Sequence, residues 1–245
     1  MSKVVAIIPA RWGSTRFPGK ALHLIAGKPL IRHVWERTMA AGTLDSVIIA
    51  TDDMRIADAA FAFGAEVSLT SPKHVSGTDR IAEVAKKLPQ AVTHIINVQG
   101  DEPVVDPALI NRLARTLAAD PKIPMITAAN PFAKNEDPAN PNAVKVVLDR
   151  ASDALYFSRS PVPFSRDNDA PVVYYRHQGI YGYSRKFLLQ FIQWKPGVLE
   201  KIEQLEQLRA LENGAKIRVL ITKKVSIGVD TPDDVKSVTA ILKKL

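Results

Sequence analysis

Three separated stretches of this chain carry residue types suited to gripping a polyphosphate and the cation that accompanies it. The first is Pro9-Ala10-Arg11-Trp12-Gly13-Ser14-Thr15-Arg16-Phe17-Pro18-Gly19-Lys20, where two glycines, two prolines and three cations fall within twelve residues. Glycine lets the backbone approach an anion, and Arg and Lys neutralise its charge. The second is Val98-Gln99-Gly100-Asp101-Glu102-Pro103, a carboxylate beside a glycine, which suits a magnesium site. The third is Gly228-Val229-Asp230-Thr231-Pro232-Asp233-Asp234. Each also has an ordinary structural reading. The first can be a basic surface loop, the second a turn, and the third a helix start in which Asp230 or Thr231 is the cap. Asp230 joins a metal site only if its strand end lies beside Asp101.

The first stretch is not a P-loop. Five residues rather than four separate Gly13 from the Gly19-Lys20 pair, and Ala21 stands where Ser or Thr would hold magnesium. No G-x-G-x-x-G follows a strand. Ser76-Gly77-Thr78-Asp79-Arg80 opens a predicted helix, where hydroxyls and free N–H groups can read a base or a phosphate, or where Thr78 is a plain N-cap. No H-E-x-x-H, C-x-x-C or Ser–His–Asp order supports zinc or peptidase chemistry.

Elements with the right periodicity stand in front of each stretch. Val4 to Ile8 reads as a buried strand feeding the cationic loop, and Thr93 to Gln99 as a strand delivering Asp101 at its C-terminal end. In open α/β sheets that edge is where ligands bind. Helices are predicted from Pro29 to Ala41, with Leu30, Ile31, Val34, Trp35 and Met39 on one broad face, from Asp53 to Phe63, from Thr78 to Leu88 and from Ala108 to Ala118. Strands are predicted from Ser46 to Thr51 and from Glu66 to Leu69. This alternation argues for an α/β fold, a mostly parallel central sheet with helices on both faces. From about residue 125 to 185 the pattern turns strand-rich and suggests an antiparallel extension. A single helix from Leu199 to Leu211, a strand from Lys216 to Thr222 and a helix opened by Thr231-Pro232 complete one domain, 1–245.

The 245 residues carry 33 Lys and Arg against 25 Asp and Glu, a formal charge of +8. The cations are dispersed, without a basic stripe interleaved with aromatics, so small anionic substrates fit better than nucleic acid. With no cysteine, thiolate sites and disulfides are excluded, as suits a reducing compartment. No apolar run nears the roughly 20 residues of a membrane helix, so no membrane insertion is expected. Met1-Ser2-Lys3 leads straight into a strand, without the pattern of a secretory signal.

The motifs gain weight from their order. The cationic loop, Ser76-Gly77-Thr78, Asn97-Val98-Gln99-Gly100-Asp101-Glu102-Pro103, Asn140-Pro141-Asn142-Ala143-Val144-Lys145-Val146-Val147, Ala154-Leu155-Tyr156-Phe157-Ser158-Arg159, Gly179-Ile180-Tyr181-Gly182-Tyr183, Glu206-Gln207-Leu208-Arg209 and Gly228-Val229-Asp230-Thr231-Pro232 follow one another. Across residues 3 to 240 the chain closely resembles the 3-deoxy-manno-octulosonate (KDO) cytidylyltransferases, the CMP-KDO synthetases. The resemblance implies a fold of the nucleotide-diphospho-sugar transferase type, a cytoplasmic homodimer, and magnesium-dependent conversion of CTP and KDO to CMP-KDO and pyrophosphate for lipopolysaccharide synthesis. It implies that Arg11 and Lys20 lie on the triphosphate with Ala10, Gly13, Ser14 and Arg16 nearby. Ser76, Gly77 and Thr78 would surround cytosine and ribose, and Asp101 and Asp230 would hold magnesium. Gln99, Arg159, His177, Tyr181 and Glu206 would receive the sugar, with Arg159 forked onto its carboxylate. Trp12 stands where the family pattern has Tyr, Asp79 where it has Glu, and Pro161-Val162-Pro163-Phe164-Ser165-Arg166 where it has Ile-Pro-Trp-Asp-Arg. These departures leave an 8-amino analogue of KDO or sialic acid open as the sugar. A nucleotide-binding protein without turnover is the non-enzymatic alternative.

Overall fold

A computed structural model describes residues 2–13, 17–166 and 172–244. In chain order the elements are β1 (Lys3–Ala10), β2 (Leu24–Ile25), β3 (Lys28–Pro29), α1 (Leu30–Met39), β4 (Ser46–Thr51), α2 (Met54–Ala62), β5 (Glu66–Leu69), α3 (Gly77–Lys87) and β6 (Val92–Asn97). There follow α4 (Pro107–Ala119), β7 (Met125–Pro131), β8 (Lys145–Leu148), β9 (Ala154–Ser158), β10 (Tyr175–Ser184), α5 (Arg185–Phe191), α6 (Val198–Glu203), α7 (Leu208–Glu212), β11 (Ile217–Ile221) and α8 (Asp234–Leu242).

Strand β1 organises the sheet because every side chain on it from Val4 to Ala10 is apolar and both its faces are covered. Val4, Ala6, Ile8 and Ala10 join one core with Ile31 and Val34 of α1, Ile56 of α2 and Leu109 and Leu113 of α4. Val5 and Ile7 point the other way, into a second core with Ile81 of α3, Phe187 and Phe191 of α5 and Leu208 of α7. Such two-sided burial is the signature of a parallel sheet between helical layers. The strand order is β11-β7-β10-β6-β1-β4-β5. β1 pairs parallel with β4 and β6, β4 with β5, and β11 with β7, while β10 runs antiparallel to both β6 and β7. The mostly parallel sheet expected from the sequence is therefore present. The antiparallel part is narrower than residues 125–185: β7 belongs to the central sheet, and only β8 and β9 extend from β10.

The predicted helix from Leu199 to Leu211 is two helices. Gln204 takes a left-handed conformation, φ 52°, and ends α6. Ile202, expected on an apolar face, is exposed. The break is held from both sides. Glu212 accepts the N–H groups of Val198 and Leu199 at 2.8 and 3.0 Å, closing the start of α6, and Arg209 Nε donates to Glu200 Oε2 at 2.8 Å. At the other end the Arg159 guanidinium takes the carbonyls that the break leaves over: Nε donates to Glu203 O at 2.7 Å and Nη2 to Gln204 O at 3.3 Å. A periodicity argument sees only the apolar spacing; the break depends on polar contacts across the segment and on Arg159 from the end of β9. Smaller differences have similar causes. Pro29 caps α1 from outside rather than occupying its first turn, and Met39, past the buried face, is exposed.

The C-terminal edge of the sheet is brought together by two devices. Gly100 follows β6 directly beside the end of β1, and a Cβ there would lie 2.5 Å from Pro9 O, so only glycine admits this approach. Val229 is fully buried against Ile25, Leu30 and Val238, and its N–H donates to Asp101 O at 2.8 Å. That hydrogen bond docks the segment before α8 onto the turn after β6. Gly100→Ala is accordingly expected to lower stability by about 1–3 kcal/mol through overpacking against backbone, read as a lower urea midpoint, and to impair the neighbouring cavity more than an equally destabilising core substitution does.

Candidate active site

At that edge a cavity of about 360 Å³ is lined by Ala10, Arg11 and Lys20 from the first stretch, His74, Ser76, Gly77 and Arg80 from the start of α3, Gln99, Gly100 and Asp101 after β6, and Asp230 before α8. The three stretches, as much as 210 residues apart between Lys20 and Asp230, thus share one opening. The condition set for Asp230 is met: the Lys20 ammonium donates to Asp101 Oδ2 at 2.6 Å, to Asp230 Oδ1 at 3.2 Å and to Val229 O at 3.1 Å. Neither Asp230 nor Thr231 is the cap of α8: the N-cap position is Asp233, without a side-chain cap hydrogen bond, and Asp234 Oδ2 accepts the N–H groups of Asp230 and Thr231 at 2.9 and 2.8 Å. This directs the backbone of Asp230 toward α8 and its carboxylate toward Lys20.

The start of α3 is also assigned differently from the simple cap. Ser76, not Thr78, is the N-cap, accepting from Asp79 N at 3.0 Å and donating to Asp79 Oδ2 at 2.9 Å. Thr78 is thereby left to donate to Glu206 Oε2. Arg80 is buried and lines the cavity, with Nη1 3.0 Å from Asp52 Oδ1 and 2.6 Å from Thr70 Oγ1. No role was expected of Arg80; its position in the first turn after Ser76-Gly77 was the local signal.

A second group of polar side chains adjoins the cavity through Gln99 and Thr78. Gln99 Nε2 donates to Gly179 O at 3.1 Å, at an irregularity in β10 between Gln178 and Tyr181. His177 packs on Phe157 and Tyr181 with ring centroids 5.0 and 5.4 Å away, and its Nε2 lies 3.0 Å from Thr127 Oγ1. Loss of solvent pushes its imidazole down to about 3, so it is neutral in ordinary buffers. Loss of solvent likewise raises Glu206, although 32% of its side-chain surface stays accessible. It also raises Tyr181, which feels Glu206 and Glu102 as well. Glu102 was not singled out from sequence. Desolvation, reinforced by Asp101, lifts its carboxyl to about 7 even though Ser226 Oγ donates to it at 2.6 Å.

Eight of the expected residues therefore meet in the cavity: Ala10, Arg11, Lys20, Ser76, Gly77, Gln99, Asp101 and Asp230. Thr78, His177, Tyr181 and Glu206 form the adjoining group. Gly13 lies outside the lining, and Ser14 and Arg16 fall outside the described residues. Arg159 departs from expectation. Besides the carbonyls at the end of α6, its Nη1 donates to Pro141 O at 2.9 Å, and its backbone N–H donates to Glu203 Oε2 at 2.9 Å. Its hydrogen bonds go to the protein, where it ties β9 to α6, rather than forking toward the cavity.

A family model described as cytidylyltransferase matches residues 5–217. The 3-deoxy-manno-octulosonate cytidylyltransferase of Geobacter metallireducens is 51% identical over 252 residues, covering 99% of this chain and 98% of its own. That of Syntrophobacter fumaroxidans is also 51% identical, covering 98% and 97%. The chain belongs to the 3-deoxy-manno-octulosonate cytidylyltransferase family. Among solved structures, a CMP:2-keto-3-deoxy-manno-octonic acid synthetase complexed with CTP superposes with a TM-score of 0.94 at 41% identity, each chain covered to 99%. A 4-diphosphocytidyl-2C-methyl-D-erythritol synthase from Anaerococcus prevotii, at TM-score 0.67 and 14% identity, shares the fold. Among the described residues no helix is long and apolar enough to cross a membrane.

Arg159 and His177 each have a measurable consequence. Arg159→Ala is expected to cost about 1.5–3 kcal/mol in urea unfolding, the scale of hydrogen bonds to a charged group, while CTP binding by the folded fraction is retained. For His177, the folded value near 3 lies below the unfolded value of 6.5, so the unfolded chain binds the extra proton. Stability then falls as pH drops from about 6.5 to about 3. The His177→Gln variant should lack that component of the acid loss, measured as unfolding free energy against pH.

Proposed function

We propose that this protein transfers CMP from CTP to KDO, releasing pyrophosphate and supplying CMP-KDO for lipopolysaccharide synthesis. The observation that carries the reading is the single cavity into which Arg11, Lys20, Asp101 and Asp230 converge beside Ser76, Gly77 and Gln99. Family membership supports the choice of nucleotide and sugar.

In this reading the anomeric hydroxyl of KDO attacks the α-phosphorus of CTP, the bond to the β-phosphate oxygen breaks, and the hydroxyl proton is lost. Such transfers depend on positioning and on neutralising charge. Arg11 and Lys20 neutralise the departing pyrophosphate. Ser76 and Gly77, with Thr78 behind them, form the cytosine and ribose side. Gln99, His177, Tyr181 and Glu206 form the sugar side. A neutral His177 and protonated tyrosines would give that side hydrogen-bond donors and acceptors without placing added charge against the substrate carboxylate. Arg159 shapes this wall by holding α6 in place.

Magnesium dependence is part of the proposal. Among the described residues no cluster of three or more His, Cys, Asp or Glu suits a metal ion. Magnesium, however, is commonly bound through one or two carboxylates completed by substrate phosphates and water. Asp101 and Asp230 already reach one shared cation, the Lys20 ammonium, with the Val229 carbonyl as a third oxygen. This donor set fits. Magnesium held there would polarise phosphoryl oxygens and offset their charge. The homodimer and the cytoplasmic location are proposed from the family resemblance.

The deciding assay measures pyrophosphate release across CTP and UTP with KDO, its 8-amino analogue and sialic acid. Release that requires CTP, KDO and magnesium together is expected; sugar-independent release, or none from folded protein, sinks the proposal. Replacing Arg11 or Lys20 by Ala should lower turnover about 10²-fold or more, by analogy with removing one transition-state donor. Asp101→Asn and Asp230→Asn should each raise the magnesium concentration needed for half-maximal rate, and unchanged turnover in both would remove the metal assignment.

A further inference from the structure

Arg11 and Lys20, two of the cations lining the cavity, flank a loop, and the structure contains a separate device that holds the loop's ends together. Arg11 directly precedes Trp12, and Lys20 directly follows Gly19. Gly19 N donates to Trp12 O at 3.1 Å, so the loop is closed at its base, one residue away from each cation. Gly19 is left-handed at φ 68°, and a Cβ added there would lie 3.0 Å from Trp12 Cη2 and 3.1 Å from Cζ2. The indole therefore covers the glycine that makes the turn. The guanidinium carbon of Arg55 sits over the same indole, 3.5 Å from the ring centroid. Arg55 is itself oriented by Asp53: Nε donates to Oδ1 at 2.9 Å and Nη2 to Oδ2 at 2.6 Å. Asp53 is the N-cap of α2, accepting Arg55 N at 3.0 Å, which anchors the series in the junction of β4 and α2.

We propose that Trp12, clamped by Arg55, is a positioning residue that fixes the distance between Arg11 and Lys20 before nucleotide arrives. This rests on the nucleotide reading of the cavity. The stacked side chains are not core elements. Trp12 is half-buried, and the Arg55 side chain is 57% exposed, so packing alone does not account for a guanidinium pinned by two hydrogen bonds over an indole. A cation over an indole face is a directional attraction, and an arginine held by a carboxylate in this way keeps its plane for stacking. Asp53, Arg55, Trp12 and Gly19 form one continuous line from a helix cap to the turn that presents Lys20. The consequence is preorganisation: the triphosphate meets two cations already spaced for it.

The test uses the full-length chain and calorimetric titration with CTP in the presence of magnesium, on wild type, Arg55→Ala, Trp12→Ala, the double variant and Trp12→Phe. Each alanine variant should bind CTP about threefold to tenfold more weakly, the scale of an exposed cation–π contact plus a modest misplacement of the loop. The double variant should bind within about twofold of the weaker single variant, because both substitutions break one series. Trp12→Phe, which keeps an aromatic face, should recover most of the affinity. The KM for KDO should stay unchanged throughout, a split that general unfolding would not produce. Because its side chain is exposed, Arg55→Ala should keep the wild-type urea midpoint and so decides the matter even if Trp12→Ala folds poorly. Wild-type CTP affinity in Arg55→Ala, or additive losses in the double variant, overturns the clamp. Wild-type protein that takes up no CTP overturns the nucleotide reading itself and the clamp with it.

Discussion

One ammonium group joins the parts of this site. Lys20 lies between Asp101 and Asp230 and also reaches the carbonyl of Val229, so the loop after β1, the turn after β6 and the segment before α8 meet around a single charge. Two carboxylates aimed at one point repel each other, and bringing them together requires a cation. The protein supplies one from a third segment. The backbone reinforces the arrangement through the Val229 N–H to Asp101 O hydrogen bond, and the buried Val229 side chain fixes the segment from the opposite side. Polar convergence at the surface is thus anchored by apolar burial beneath it.

The same logic separates two environments in the site. Around Lys20, Asp101 and Asp230 the groups are charged and partly accessible. Around His177 and Tyr181 loss of solvent dominates. His177 is held neutral, and Glu102 and Glu206 are displaced upward toward protonation. A site with cations at one end and neutral donors and acceptors at the other matches a reaction in which charge moves toward a leaving pyrophosphate.

Much of the fold was legible in the sequence because β1 and β4 each carry an unbroken apolar run, Val4 to Ala10 and Val47 to Ala50, and each helix of the first half carries its own stop or start signal, such as Asp53, Gly64, Asp106 and Pro107. The helix read from Leu199 to Leu211 was not legible. Its ends are set by Arg159 and by the Glu200–Arg209 and Glu212 contacts, which no local pattern contains. The partners of Arg159 were hidden for the same reason: its charge suits an anionic ligand, and the carbonyls of a broken helix, to which it donates here, are an equally good partner. Arg80 and Glu102 went unassigned because their significance lies in burial, which residue type alone does not report.

The sequence by itself determined the chemistry available: cations within a glycine-containing loop, aspartates at strand ends, no thiol, and an order of motifs specific to one enzyme family. These are properties of residue type and local spacing. Only the tertiary structure decided that Lys20 bridges Asp101 and Asp230, that Arg159 serves the scaffold, that His177 is uncharged, and that Trp12 is gripped by Arg55. The reason is that charge neutralisation, desolvation and stacking act over a few ångströms of space, and residues far apart in the chain come within that range only when the sheet edge and its buried cores bring them there.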